Sequence, residues 1–138
     1  MIVVDTNIIS YFYLSTNYSE SVSQLYKKDN VWIAPLLWRS EFRNVLTLYI
    51  RQKLLTIEQA LEIQEDAETL MLDNEFQVTS AQVFALTTTS ECSAYDCEFV
   101  ALAKNLNLKL ITQDKKVLRE FPDTAISIAN YLQRPFVA

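Results

Sequence analysis

The stretch Ile2-Val3-Val4-Asp5-Thr6-Asn7, near the start of the chain, decides the fold. It is a short run of β-branched residues that stops at three polar side chains, as a buried parallel strand stops at a loop. Similar short runs follow at residues 31–34, 76–79, 109–112 and 125–128. Segments of helical periodicity separate the five runs. The sequence therefore predicts an α/β protein, a three-layer α/β/α sandwich built on a five-stranded parallel sheet.

Two of the predicted helices have recognisable first residues. Ser19 can cap a helix that runs to Lys28. Thr56 with Gln59 forms the pattern of a capping box, in which each side chain bonds the other residue's backbone, and it precedes a long helix that should end near Asp73.

A third helix is predicted from Ser93, which forms a similar capping pattern with Asp96, to a point near Asn107. The chain contains no glycine, yet a helix that is followed closely by a strand usually ends on a residue in the left-handed conformation. Asparagine tolerates that conformation better than other side chains do. We therefore expect Asn107 to adopt it.

The composition is that of a compact protein. Of the 138 residues, 50% are hydrophobic and 21% are charged, which argues against a disordered chain and favours a single domain over residues 1–138. No apolar run approaches the ~20 residues that span a bilayer, and the first residues lack the basic and apolar regions of a signal peptide. We expect a cytoplasmic protein without a membrane segment.

The residue types that are missing restrict the chemistry. The chain has no histidine, which excludes Ser-His and Cys-His mechanisms. Its two cysteines, Cys92 and Cys97, cannot form a four-ligand zinc site by themselves and are interpreted as reduced thiols. Any catalysis must depend on carboxylates. The net charge of −5 also argues against a broad basic surface that binds nucleic acid.

Three aspartates occupy positions where active-site residues of α/β proteins are found. Asp5 and Asp114 follow predicted strands, and ligands bind at the carboxyl ends of such strands. Asp96 belongs to the first turn of its predicted helix. Each aspartate could instead be an ordinary loop or helix-cap residue, since carboxylates are favourable at helix N-termini.

Glu41 is the most informative acid. Val45 and Leu48 follow it at helical spacing, which places its carboxylate along a partly apolar stripe. A glutamate in such a place needs a counter-charge, and either Arg51 or a divalent metal could supply it. Clusters of oxygen ligands suit Mg²⁺ or Mn²⁺.

The chain resembles the PIN-domain family. The resemblance rests on the opening IVVDTN at residues 2–7, on the helical Glu41, on SAYDCEFVALA at residues 93–103 and on LITQDKK at residues 110–116. It covers nearly the whole chain, and the length is similar to that of the toxins in VapBC-type toxin–antitoxin pairs. Asn107 departs from the pattern, because relatives commonly have glycine there.

The resemblance implies a parallel sheet of order 3-2-1-4-5 and a metal-dependent endoribonuclease with one or two Mg²⁺ or Mn²⁺ ions. It also implies an antitoxin partner that blocks the acidic cleft, and a homodimer. The metal-binding acids of the family match Asp5, Glu41, Asp96 and Asp114. Its supporting polar positions match Thr6, Asn7 and Thr112.

Basic residues near these acids in the sequence could contact the phosphates of an RNA substrate and so offset the negative charge. The candidates are Arg39, Arg43, Lys115 and Lys116, with Lys104 and Arg119 as further possibilities.

Other functions remain open at this point. A response-regulator receiver domain and a haloacid-dehalogenase-type phosphatase share the architecture. The receiver usually needs paired acids after the first strand, and the phosphatase needs an Asp-x-Asp there, whereas this chain has Asp5-Thr6-Asn7. A non-catalytic PIN-fold module that binds RNA or protein, and a stand-alone RNA-processing nuclease, are the stronger alternatives.

Overall fold

The computed structural model describes residues 1–135, so the last three residues of the expected 1–138 domain lie outside the described part of the chain. In residues 1–135 five strands alternate with eight helices. The strands are β1 Ile2–Val4, β2 Trp32–Pro35, β3 Glu75–Phe76, β4 Leu110–Ile111 and β5 Ala125–Ile126. The helices are α1 Thr6–Tyr13, α2 Ser19–Lys28, α3 Trp38–Arg51, α4 Ile57–Leu70, α5 Ser80–Thr88, α6 Ala94–Leu106, α7 Lys115–Glu120 and α8 Ile128–Leu132.

The five strands form one parallel sheet of order β3-β2-β1-β4-β5, as predicted. The central strand β1 pairs through Val3 with Ile33 on one side and with Leu110 on the other. All three residues of β1 are buried, which explains its continuous β-branched sequence. Because every strand is parallel, all their carboxyl ends meet at one edge of the sheet.

Three strands are shorter than the sequence predicts. β3 covers Glu75–Phe76 rather than residues 76–79, because the Thr79 hydroxyl accepts a hydrogen bond from the Gln82 amide and caps α5. β5 ends at Ile126 because Ser127 caps α8 in the same way. β4 is limited to Leu110–Ile111. The amino-acid composition of these two stretches suggests longer strands, but β3 and β5 end sooner because Thr79 and Ser127 cap the helices that follow.

The helix ends follow the sequence signals except at α2, where Ser19 is the first helical residue and the cap position is occupied by Tyr18, whose side chain makes no capping hydrogen bond. Both hydrogen bonds of the Thr56–Gln59 capping box form, and α6 begins after Ser93. Asn107 has φ 54° and ψ 45°, so the predicted left-handed conformation is confirmed. Lys53 and Asp73 also have positive φ, which the sequence did not indicate.

The hydrophobic core lies on both faces of the sheet. Its largest fully buried side chains include Trp32, Trp38, Phe42 and Phe99. α6 packs against β1 and β2, and this contact fixes the position of its first turn relative to the sheet edge. Of the helices in residues 1–135, none is both long and apolar enough to cross a membrane.

Candidate active site

A cavity of about 860 Å³ opens at the carboxyl edge of the sheet. Its wall includes residues of α1, α3 and the first turn of α6, together with the residue that precedes α7. All four acids singled out from the sequence line it: Asp5, Glu41, Asp96 and Asp114. The fold therefore brings together four carboxylates that are up to 109 positions apart in the sequence.

Asp5 lies at the N-terminus of α1, directly after the central strand. Its Oδ1 accepts a hydrogen bond from the Thr6 amide at 2.7 Å, and its Oδ2 accepts one from the Thr112 hydroxyl at 2.7 Å. Burial raises the pKa of Asp5 to about 7, and the nearby Glu41 and Asp96 add to the effect, although the two hydrogen bonds oppose it.

Glu41 lies in the first turn of α3 and is partly buried. Its Oε1 accepts a hydrogen bond from the Thr6 hydroxyl at 2.7 Å. None of the ion pairs found in residues 1–135 includes Glu41, so Arg51 is not its partner. Burial raises the pKa of Glu41, and the charges of Asp96 and Glu98 raise it further.

The other two acids lie at helix N-termini. Burial, and then the charge of Asp114, raises the pKa of Asp96, while Lys116 lowers it. Asp114 caps α7, since its Oδ1 accepts hydrogen bonds from the amides of Lys116 and Val117 at 2.9 and 3.1 Å. Asp114 is therefore a helix cap, the alternative that its sequence position left open. This role does not exclude that Asp114 also binds a metal ion.

Two polar residues connect the strand ends below the acids. The fully buried Thr112 hydroxyl donates to Asp5, accepts from the Asp114 amide at 3.0 Å and lies 3.5 Å from Asn7 Nδ2. This contact turns the amide oxygen of Asn7 away from Thr112. That Oδ1 atom is buried and has no hydrogen-bond partner among the described residues. A buried oxygen of this kind is rare unless a ligand uses it.

The donor set of the cavity fits a hard divalent cation. The wall offers carboxylate, hydroxyl and amide oxygens, including the unpartnered Oδ1 of Asn7, and such oxygens are the ligands that Mg²⁺ and Mn²⁺ prefer. In the arrangement seen across residues 1–135, no three acidic or thiol side chains are close enough to hold an ion together. Asp5, Glu41 and Asp114 each accept hydrogen bonds from the protein's own donors in this arrangement.

The basic residues proposed as phosphate contacts lie outside the cavity wall. Arg39 is held by two carboxylates, with Nε 2.6 Å from Glu75 and Nη1 2.9 Å from Glu68. The structure does not support the prediction that Arg39 contacts phosphates, because its guanidinium is bound to Glu75 of β3 and Glu68 of α4. Arg43, Lys115 and Lys116 are exposed, and Lys116 is near enough to affect Asp96.

Sequence reasoning missed the aromatic part of the wall. Tyr11 follows Asn7 at i+4 on α1, Leu14 comes directly after that helix, and all three line the cavity. Tyr95, next to Asp96, lines it too. The helical spacing from Asn7 and the adjacency to Asp96 were the available signals.

Most of the chain matches a known protein family. The family model described as PIN domain matches residues 2–124. A search of curated protein sequences gave no match.

Three solved structures share the fold. The crystal structure of PAE2754 from Pyrobaculum aerophilum has a TM-score of 0.74 at 17% identity, and the match covers 95% of this chain and 92% of that one. FitAcB from Neisseria gonorrhoeae has a TM-score of 0.70 at 19% identity, with coverages of 94% and 99%. A toxin–antitoxin complex from Klebsiella pneumoniae has a TM-score of 0.65 at 17% identity, with coverages of 93% and 98%.

Proposed function

The chain belongs to the PIN-domain family, and on that premise we propose that it is a metal-dependent endoribonuclease that hydrolyses RNA phosphodiester bonds. The observation that carries the proposal is the convergence of four carboxylates on one cavity at the carboxyl edge of the sheet. Acidic side chains that raise one another's pKa in a cavity are typical of functional sites.

Asp5, Glu41, Asp96 and Asp114 would hold one or two Mg²⁺ or Mn²⁺ ions. A divalent ion in such a site lowers the pKa of an attacking water and stabilises the charge on the leaving oxygen. The chain's own residues orient the ligands: the Thr6 hydroxyl holds Glu41, and the Thr112 hydroxyl holds Asp5. Hydrogen bonds of this kind fix carboxylate orientation and raise metal affinity.

We further propose that the chain is the toxin of a toxin–antitoxin pair, with an antitoxin protein that covers the acidic cavity, and that it acts in the cytoplasm. Support comes from the family membership and from the similarity of fold to a toxin–antitoxin complex of Klebsiella pneumoniae. A stand-alone processing nuclease would cleave RNA in the same way but would have no inhibitory partner. Co-expression with the product of the adjacent reading frame distinguishes these contexts, since only an antitoxin abolishes cleavage.

A homodimer is part of the proposal. Four aliphatic side chains at the α3–α4 hairpin are exposed: Leu48, Leu54, Ile57 and Leu61. An exposed apolar patch of this kind favours association. Light scattering between micromolar and millimolar concentration tests this point, and a monomer throughout that range would refute it.

Incubation of the purified, partner-free protein with single-stranded RNA tests the enzymatic function. We expect cleavage with Mg²⁺ or Mn²⁺ and none in EDTA, because all of the candidate ligands are oxygens. Undiminished cleavage in EDTA would exclude the metal mechanism. Binding without cleavage in any divalent metal would favour the non-catalytic binding module instead.

A further inference from the structure

The cavity poses a problem of substrate binding. Proteins usually hold nucleic acid through lysine and arginine contacts to phosphates. Within residues 1–135, however, no lysine or arginine lines the cavity, and the chain carries a net charge of −5. A cavity of about 860 Å³ is also far larger than one phosphate group requires. Another interaction has to supply affinity inside the cavity.

Tyr95 offers such an interaction. It lies in the first turn of α6, immediately before Asp96, and it lines the same cavity as the four acids. The side chain is 62% exposed. Among the described residues its ring stacks on no other aromatic ring, whereas Tyr11 across the cavity is stacked on Tyr18 at 4.5 Å between ring centroids. Tyr18 therefore covers one face of the Tyr11 ring, whereas the ring of Tyr95 is open to a ligand.

We propose that Tyr95 is a stacking platform for a nucleobase of single-stranded RNA, and that stacking takes the place of lysine and arginine contacts to phosphates inside the cavity. This inference rests on the proposed function and names how that site holds its substrate. Aromatic side chains bind unpaired bases by stacking, and every base has a suitable face. Bases in a duplex are already stacked on one another, so the platform selects single strands.

The part of the wall that α3 contributes is suited to the polar edge of a base. Asn44 and Ser40 of α3 are exposed and line the cavity together with Tyr49. An amide and a hydroxyl can each donate to a base edge or accept from it. The cavity that contains Tyr95 therefore offers polar groups for a base edge as well as an aromatic face.

Three variants test the platform. Tyr95→Leu removes the aromatic face, and Tyr95→Phe keeps it without the hydroxyl. Phe84→Leu is the matched control, because Phe84 is 63% exposed on α5 and does not line the cavity. Both positions are exposed, and melting curves verify that each variant is folded.

The probe is a fluorescein-labelled single-stranded RNA hexamer that contains all four bases. Its Kd is measured by anisotropy with Mg²⁺ present, and KM and kcat for cleavage are measured on the same RNA. We expect Tyr95→Leu to raise Kd and KM about 5- to 100-fold with little change in kcat, and Tyr95→Phe and Phe84→Leu to stay near the parent. Tyr95→Leu should leave the slope of log affinity against log salt unchanged, because the ring makes no ionic contact with phosphate.

Each result decides one of the two claims. If the parent binds the hexamer without cleaving it and Tyr95→Leu weakens binding, the stacking role of Tyr95 is supported and the proposed nuclease function is wrong. An unchanged Kd and KM in Tyr95→Leu, an equal loss in Phe84→Leu, a changed salt slope in Tyr95→Leu or the absence of any RNA binding by the parent would each overturn the stacking proposal.

Discussion

At the scale of single residues, the Thr112 hydroxyl links two of the proposed metal-binding acids. It donates to Asp5 and accepts from the amide of Asp114. We predict that Thr112→Val lowers kcat/KM about 10- to 100-fold, because Asp5 loses the hydrogen bond that orients its carboxylate. Thr112→Ser keeps the hydroxyl and should restore most of the activity. Full activity in Thr112→Val, or a loss in Thr112→Ser as large as that in Thr112→Val, would contradict this role of the hydroxyl.

Asp5 also links stability to pH. Its pKa in the folded protein is about 7, against an ordinary value of 3.8. Between these pH values the folded state binds more protons than the unfolded state, so the free energy of unfolding of the metal-free protein falls as pH rises. The stabilising contribution is complete below about pH 4 and is lost as pH rises through 7.

Asp5→Asn removes this pH effect, because asparagine resembles the protonated acid. In EDTA at pH 8.5 we predict that the variant is more stable than the parent by about 1 to 2 kcal/mol, while at about pH 4, where the contribution of Asp5 is nearly complete, the two are nearly equal. Cleavage should be abolished at both pH values. Urea denaturation at the two pH values measures the difference. A variant that is less stable than the parent at pH 8.5 would show that Asp5 has only a structural role.

At the scale of elements, Arg39 fastens α3 to the edge of the sheet. Its guanidinium bonds both carboxylate oxygens of Glu75 in β3 and also reaches Glu68 in α4. We predict that Arg39→Gln lowers the free energy of unfolding by about 1 to 3 kcal/mol, because Glu75 keeps a mostly buried charge without its partner. The Kd for RNA should not change. Arg51→Gln, at the exposed last residue of the same helix, is the control, and weaker RNA binding in Arg39→Gln alone would restore Arg39 as a phosphate contact.

The turn between α6 and β4 depends on a left-handed residue. Asn107 has φ 54°, and a side chain other than asparagine or glycine loses about 1 kcal/mol or more there. We predict that Asn107→Ala lowers the free energy of unfolding by about 1 kcal/mol, while Asn107→Gly stays within about 0.5 kcal/mol of the parent. Chemical denaturation tests the pair, and equal effects of the two changes would contradict this account of the turn.

The elements differ in how far their sequences predict them. β1 and the left-handed Asn107 were predictable because burial and backbone sterics act locally. The length of β3 was not, since Thr79 can extend a strand or cap a helix and only the tertiary contacts of α5 decide. Positive φ at Lys53 was not indicated, because lysine has no preference for it, and Asp73, whose residue type tolerates positive φ, was predicted only as a helix end.

In the candidate site, too, some features could be predicted from the sequence and others could not. That Asp5 and Asp114 lie at one edge follows from parallel strands, and the cavity includes both. The partner of Glu41 could not be predicted, because the Thr6 hydroxyl reaches it across 35 positions of sequence. Arg39 was expected to contact phosphates, since a sequence does not reveal that Glu68 and Glu75 surround it.

At the scale of the whole molecule, the negative charge is concentrated where the proposed chemistry needs a cation. Burial and mutual repulsion raise the pKa of Asp5, Glu41 and Asp96 together. A divalent ion relieves this repulsion and must displace protons as it binds. Metal affinity should therefore increase with pH through the neutral range.

Calorimetric titration of Mn²⁺ into the protein at pH 6 and pH 8 tests most directly whether the four acids act as one metal site. We predict binding that is tighter at pH 8, that releases protons, and that weakens at least about 10-fold in each of four variants. The variants are Asp5→Asn, Glu41→Gln, Asp96→Asn and Asp114→Asn, with Glu58→Gln on the exposed side of α4 as the control. Mn²⁺ affinity that is independent of pH and unchanged in these four variants would contradict the assignment of the site.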